Sequence, residues 1–331
     1  MYHHKIAIVG STGLVGRTVL KVLEETSLPH CTYTLFSSAK SAGTKVTFMG
    51  TTYVICELTE DSFHEHFDYA IFCAGGTVSK KYAPIAATNG CTVIDNSSVF
   101  RMDPNVPLVV PEVNPEKIKD QKGIIANPNC STIQAVVPLK PLEDTYGIKR
   151  IVYSTYQAVS GAGRAGILDL ENGREGNEPK KFPYSIVDNC LPHIDVFLPN
   201  GYTKEEMKMI NETRKILAKP NLPITATAVR VPIKNCHGES INVELEKDFD
   251  LYDIKQLLQN SPGILVVDDP DKNYYPLATK AEGTDDVYVG RIRRDESVPN
   301  GLNLWVVADN LRKGAASNAV QILAKCLELE K

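Results

Sequence analysis

Two joined architectures are predicted for this 331-residue chain. The first is an α/β part built as a doubly wound parallel sheet; the second is an α+β part with a largely antiparallel sheet. Three observations carry that expectation. Buried strand-like runs alternate with helical stretches as far as Pro128. A glycine-rich turn follows the first such run and opens the first helix. Past Arg150 the texture changes to strand-like segments suited to an antiparallel sheet with helices on one face. Length favours two domains, set at 1–128 and 129–309, with a C-terminal helix over 310–331 returning to the first.

The elements follow in order. Lys5-Ile-Ala-Ile-Val-Gly10 is a buried parallel-type strand, and Arg17 to Glu25 a helix. Between them Gly10-Ser11-Thr12-Gly13-Leu14-Val15-Gly16 has the context in which backbone N–H groups and a helix N-terminus hold a pyrophosphate, the Rossmann arrangement. A tight turn with close helix packing also wants glycines; the position after the first strand is what favours a dinucleotide. The next strand, Thr32 to Phe36, runs into Ser37-Ser38-Ala-Lys40-Ser41-Ala-Gly43. An NAD site places an acid here for the ribose hydroxyls. This chain offers hydroxyls and Lys40, which suits the extra phosphate of NADP.

Tyr69 to Gly76 is a third strand ending in Ala74-Gly75-Gly76, followed by a helix over Val78 to Asn89 and a strand over Cys91 to Asp95. Asn96 to Arg101 then lies beyond a strand's carboxyl end, where open α/β sheets bind ligands, so Arg101 is a candidate anion ligand.

Ile124-Ile-Ala126 reads as a short strand stopped by Asn127-Pro-Asn129, because the residue before proline is pushed out of the helical region. From Ser131 the chain reads as a helix capped by Asn129 or Ser131. Cys130 therefore sits at a helix N-terminus, whose partial positive charge favours the nucleophilic thiolate. Ile151 to Ser160 is a strand leading into Gly161-Ala-Gly163. Residues 171 to 204 read as long connections, uncommon unless functional. Glu205 to Leu217 is a helix with Glu205 and Lys208 at i and i+3, a spacing ordinarily worth little at a surface.

Thr225 to Ile233, Glu239 to Glu246, Val287 to Arg293 and Leu302 to Ala308 are the strands of the second sheet. Alternation puts Arg230 on one face. Cys236 and His237 point opposite ways in an extended chain, with His237 the accessible member and Cys236 the buried thiol. Asn310 opens an amphipathic helix (Ala316, Ala319, Val320, Leu323, Leu327) that packs on the first domain.

Composition narrows the function classes. Hydrophobic content of 43% and charged content of 23% belong to a soluble globular protein. A net charge of −4 gives no electrostatic footprint for nucleic acid or an anionic membrane. No apolar run approaches the ~18 residues of a membrane span. The chain enters its first strand directly after Lys5, so no secretory leader and a cytoplasmic location are expected. The eight cysteines are scattered without a C-x-x-C pair, so reduced thiols are expected and no metal site.

Taken together these motifs resemble aspartate-β-semialdehyde dehydrogenases over nearly the whole chain. The most specific are Asn127-Pro-Asn-Cys-Ser-Thr132 and Gln157-Ala-Val-Ser-Gly-Ala-Gly163; Asn96 to Arg101, Gly201 to Glu206, Arg230-Val-Pro232, His237 and Asp309-Asn310 support them. The resemblance implies Cys130 as nucleophile, His237 as acid/base and Gln157 as the residue orienting the acyl intermediate. It implies that Arg230 and Glu205 hold the substrate's carboxylate and amine, and that Arg101, Asn129 and Lys208 bind phosphate. NADP would lie along Gly10 to Gly16, Ser37, Ser38, Lys40, Ser41, Ala74 and Gly75, with Ser160, Gly161, Gly163 and Asn310 at the nicotinamide. Lys40 stands where many members have Arg, a point charge in place of a fork.

The implied reaction converts aspartyl phosphate, with NADPH, into aspartate semialdehyde and phosphate through a Cys130 thioester, within lysine, threonine and methionine biosynthesis. A homodimer or homotetramer is implied. One competing reading is a related acyl-phosphate reductase of the N-acetylglutamyl-phosphate or glyceraldehyde-3-phosphate type. The former substrate has no ammonium for Glu205 and the latter no carboxylate for Arg230. The other is a non-catalytic NADP-binding relative, which would have no use for Cys130, Gln157, Arg230 and His237 together.

Overall fold

The structure, a computed structural model, describes residues 3–330. Residues 1, 2 and 331 of the predicted domain bounds lie outside the described residues. The chain divides into two compact units: one runs to Pro128 and resumes at Ala315, the other is Asn129–Gly314.

In the first unit the elements are β1 (His4–Val9), α1 (Leu14–Thr26), β2 (Cys31–Ser37), β3 (Lys45–Phe48), β4 (Thr51–Val54), β5 (Cys56–Glu57), β6 (Tyr69–Phe72), α2 (Gly76–Thr88), β7 (Thr92–Asp95) and β8 (Ile124–Ala126). Six strands form a parallel sheet in the order β5-β2-β1-β6-β7-β8. Helices cover both of its faces, and β1 shows why its sequence is apolar throughout. Ile6 and Ile8 enter one core with Val19, Leu20 and Leu23 of α1. Ala7 and Val9 enter the other with Ala83 and Ala86 of α2 and the cluster Phe63, Phe67 and Phe72. The hairpin β3–β4 and the two-residue β5 were absent from the sequence reading; their short, half-exposed strands give no apolar run.

The second unit holds α3 (Cys130–Tyr146), β9 (Ile148–Gln157), α4 (Gly163–Gly173), α5 (Lys204–Ile216), β10 (Ile224–Arg230), β11 (His237–Leu245), α6 (Leu251–Gln259), β12 (Ile264–Val266), α7 (Ala278–Ala281), β13 (Val287–Asp295) and β14 (Gly301–Ala308). Its sheet runs β10-β9-β11-β14-β13-β12. The three central pairings are antiparallel, as the alternating segments predict, but β10 on β9 and β12 on β13 are parallel. The α4–α5 stretch supplies the long crossover that a parallel pair needs. Alternation sends Tyr153, Thr155 and Gln157 of β9 to the face under the helices. There the Tyr153 hydroxyl meets Thr213 of α5 and the Gln157 amide meets Ser131 of α3. Tyr156 faces outward and packs on Trp305.

The chain then returns to the first unit at Ala315, not at the expected Asn310. The final helix is also shorter than predicted: a π-turn over Arg312–Ala316 precedes α8 (Ser317–Leu329). Asn310 opens no helix because its side chain is engaged elsewhere, as described below. The apolar stripe Ala316, Ala319, Val320, Leu323 and Leu327 enters the first unit's core beside α1.

Candidate active site

Strand end, Asn-Pro turn and helix start place Cys130 as the first residue of α3. The cap is Asn129, whose Oδ1 accepts from the Ser131 and Thr132 amides at 3.0 and 3.4 Å. Helix α5 steadies the same turn from the other side. Glu212 Oε2 accepts the Asn129 N–H at 2.7 Å, and Glu205 Oε1 accepts from Asn129 Nδ2 at 2.9 Å. Glu205 and Glu212 are seven residues apart and so share a helix face. Glu212 was missed in the sequence reading, although that spacing was legible.

His237 meets the sulfur: Cys130 Sγ and His237 Nε2 are 3.2 Å apart. The Ala158 backbone N–H donates to His237 Nδ1 at 3.0 Å. A neutral imidazole that accepts at Nδ1 carries its proton on Nε2, so the ring turns an N–H toward the sulfur. Burial and the Arg230 guanidinium hold its pKa down at about 3, against a smaller opposing pull from Glu205. His237 is fully buried, not the accessible neighbour expected of the pair, and Cys236 is equally buried. Cys236 has φ +70°, a turn rather than extended chain. Its thiol enters the Ala281–Val307 cluster while the next residue begins β11. Asn310 fixes this corner, accepting the Cys236 N–H at 2.9 Å and bonding the Ser160 hydroxyl through Nδ2 at 3.0 Å.

Arg230 ends β10, opposite Gln157 in register. It is buried, its Nη1 donates to the Ala158 carbonyl at 2.7 Å, and negative charge on Cys130 acts on it favourably. Gly161 lies against both partners: a Cβ there would fall 2.8 Å from Arg230 Nη1 and 3.3 Å from His237 Nε2. Gly314 closes on Cys130 in the same way, 2.8 Å from its Cβ, a contact that no local sequence signal announces. Gly163 has φ +73° and open space around it.

Glu205 and Lys208 form no surface pair. Glu205 is 5% exposed and accepts from Gln157 Nε2 at 3.1 Å, Asn129 Nδ2 and Lys208 Nζ at 3.0 Å. Burial alone would raise its pKa; the Lys208 ammonium and the two amides outweigh it and hold the carboxyl at about 2. Lys208 also reaches Asp195 at 2.8 Å. A carboxyl depressed in the folded state adds stability above its unfolded value of about 4.3, and that contribution is lost as pH falls toward the folded value. Urea unfolding of wild type and Glu205→Gln is therefore expected to differ most near neutrality, the gap narrowing below about pH 4.

The remaining predicted residues belong to the first unit. Gly10 (φ +84°) bends the chain against Ala74, whose N lies 2.8 Å from a Cβ built there. A Cβ on Gly16 would sit 2.1 Å from the Gly10 carbonyl. Helix α1 starts on Gly13 without a side-chain cap, and α2 starts likewise on Gly75 (φ +84°). Bare N–H groups at two helix starts and a side-chain-free turn fit a dinucleotide's phosphates. Ser11 bonds the Phe36 carbonyl and Thr12 bonds Ser37, tying the turn to β2's end. Ser38 and Lys40 are exposed, and Ser41 is half-buried. Gly16→Ala is expected to abolish nucleotide binding, checked by NADPH fluorescence titration, while the second unit keeps its fold.

Arg101 is buried, with Nε on the Asn127 carbonyl and Nη2 on the Asn96 carbonyl, both at 2.9 Å. Those two contacts buttress the loop from Asn96. Asn129, a predicted phosphate ligand, has its side chain committed to the cap and to Glu205. Among the described residues no group of three or more His, Cys, Asp or Glu is placed to hold a metal, and no helix is long and apolar enough to cross a membrane.

A parallel-sheet nucleotide-binding unit and a mixed-sheet unit carrying a helix-borne cysteine against a histidine define the class: a semialdehyde dehydrogenase. Residues 5–121 match the family described as semialdehyde dehydrogenase, NAD binding domain, and residues 139–313 match its dimerisation domain. The chain belongs to the aspartate-semialdehyde dehydrogenase family. The Aquifex aeolicus enzyme of that name is 54% identical over 96% of both chains. The structure of aspartate semialdehyde dehydrogenase II from Vibrio cholerae complexed with ASA superposes with a TM-score of 0.95, at 45% identity and 99% coverage of each chain. That of the Candida albicans enzyme with NADP gives 0.78 at 26% identity, covering 98% of each.

Proposed function

We propose that this chain is an NADP-dependent oxidoreductase that converts L-aspartyl phosphate to L-aspartate semialdehyde and phosphate, with Cys130 transiently acylated. The observation that carries the reading is the Cys130–His237 contact at a helix N-terminus, ringed by Arg230, Glu205 and Gln157.

Each residue type answers a need of that substrate. Arg230 offers a guanidinium to the substrate carboxylate, a bidentate match. Glu205, ionised at neutral pH, offers an anion to the ammonium. The helix N-terminus, the Arg230 charge and the His237 N–H all favour thiolate at Cys130. That thiolate attacks the acyl carbon; the carbon–oxygen bond to phosphate breaks and phosphate leaves with the electron pair. A reduced nicotinamide, held in the first unit by the Gly10–Gly16 turn, Gly75 and the hydroxyls beyond β2, supplies hydride when bound. His237 Nε2–H holds the oxygen that becomes negative beside the sulfur. Collapse of that oxyanion breaks the carbon–sulfur bond and regenerates the thiolate. In this tautomer His237 serves the donor half of the acid/base role; its Nε2 is already protonated and takes no proton from the thiol. Gln157, held by Ser131 and Glu205, fixes the acyl group. Lys208 supplies a cation for phosphate.

NADP is preferred over NAD because the loop after β2 carries Ser37, Ser38, Lys40 and Ser41 and no acid. The chain acts as a homodimer through the second unit, in the cytoplasm. The test is phosphate-dependent reduction of NADP by aspartate semialdehyde. Activity with N-acetylglutamate semialdehyde instead, or none with folded protein, would overturn the reading.

A further inference from the structure

One carboxyl beside the site is used by none of these steps. Glu239 lies on β11 two residues past His237, on the same face, and is fully buried. Neither of its oxygens has a hydrogen-bond partner. Buried polar groups are ordinarily paired, and three more orphaned atoms belong to its neighbours in the sheet and to α3. Thr155, opposite Glu239 in register, has an unpartnered hydroxyl. Gln157, the diagonal neighbour on the same face and within reach of a long side chain, has an unpartnered amide oxygen. Gln134 of α3 donates to the His237 carbonyl at 3.2 Å and also has an orphaned amide oxygen.

The inventory decides what Glu239 must be. The two amide oxygens only accept, and the Thr155 hydroxyl brings one donor. An ionised carboxylate would add two more acceptors and no donor, leaving the group short of hydrogens in a place closed to solvent. A protonated carboxyl adds the missing O–H. We propose that Glu239 is a positioning residue that works as a neutral carboxylic acid, its O–H completing the polar layer that holds Gln157 behind Cys130 and His237.

The surroundings agree. Tyr153 faces it from β9, Glu205 acts on it from α5, and neutral His237 shares its face of β11. On the other side Val306 of β14 is apolar. Arg230 is engaged by the Ala158 carbonyl, and among the described residues none hydrogen-bonds to Glu239's carboxyl. Burial and the Glu205 charge both push its pKa up.

The test compares wild type with Glu239→Gln, which keeps a donor, and Glu239→Leu, which keeps none. A carboxyl whose folded pKa is raised holds a proton that the unfolded chain releases above pH ~4.3, so its cost to stability grows as pH rises. Glu239→Gln is expected to unfold at higher urea than wild type at pH 8, the advantage vanishing near pH 4. Infrared spectra of protein carrying ¹³C-carboxyl glutamate are expected to show a protonated-acid band at pH 8 that Glu239→Gln removes. In turnover, kcat is expected to fall about tenfold in Glu239→Leu with KM little changed, and within about threefold in Glu239→Gln, the range of one hydrogen bond. A Gln variant less stable at every pH, or wild type without the band, overturns the proposal. Should the Leu variant fail to fold, the Gln variant and the infrared band decide alone. The kcat comparison rests on the proposed reaction; the stability and infrared readouts do not, so the two readings fail separately.

Discussion

Cys130→Ala is expected to lose about 10⁴-fold or more in kcat while folding normally and binding NADPH as wild type does. The size follows from losing the proposed covalent step: without the sulfur no thioester can form. The structure explains why the rest survives. Alanine keeps the Cβ that packs on Gly314, the cap on α3 belongs to Asn129, and the turn is held by Glu205 and Glu212. The glycine turn proposed to bind the nucleotide lies in the other unit. Steady-state rates, an NADPH titration and a thermal scan on one preparation check all three. A variant retaining a tenth of the activity would remove Cys130 from its role.

His237→Ala is expected to cost about 10²- to 10⁴-fold, the range of a positioned proton-bearing group. Its loss removes the N–H beside the sulfur and leaves the Ala158 amide without an acceptor. His237→Gln separates the two functions of the ring. A glutamine amide still presents an N–H toward the sulfur, so a donor role predicts partial recovery, whereas a base role predicts none. The pH profile gives a second reading. With the imidazole held at about 3, the free enzyme is expected to show no His237 limb near neutrality. A limb near pH 6.5 that disappears in His237→Gln would contradict the tautomer drawn from Ala158.

Much of this site could be read from the chain because its signals are local. A strand, an Asn-Pro turn and a helix start place a cysteine at a helix N-terminus whatever surrounds it. Alternation put Arg230 on a single face of its strand, and the glycine turn declared itself by following β1. What escaped depends on the third dimension. Nothing in the sequence says that the Ala158 amide points at Nδ1, that Gly314 closes on Cys130, or that Glu205 is buried with a half-buried Lys208 on it. Parallel pairing of β10 with β9 was hidden because a strand's alternation is the same in either direction. Asn310 looked like a helix cap for a sound reason, since Asn favours that position; tertiary contacts with Cys236 and Ser160 claimed its side chain instead. Glu239 was passed over as one more polar residue on an alternating strand, because burial of the strand's polar face is decided by α3.

An acyl group on the Cys130 sulfur can be caught directly. Wild-type protein is mixed with aspartate semialdehyde and NADP with phosphate left out, then quenched in acid and digested for peptide mass spectrometry. The expected result is a burst of NADPH stoichiometric with enzyme and one aspartyl group on the peptide bearing Cys130, released when phosphate is added before the quench. A burst with Cys130 unmodified, or an aspartyl group on any other cysteine, would contradict it.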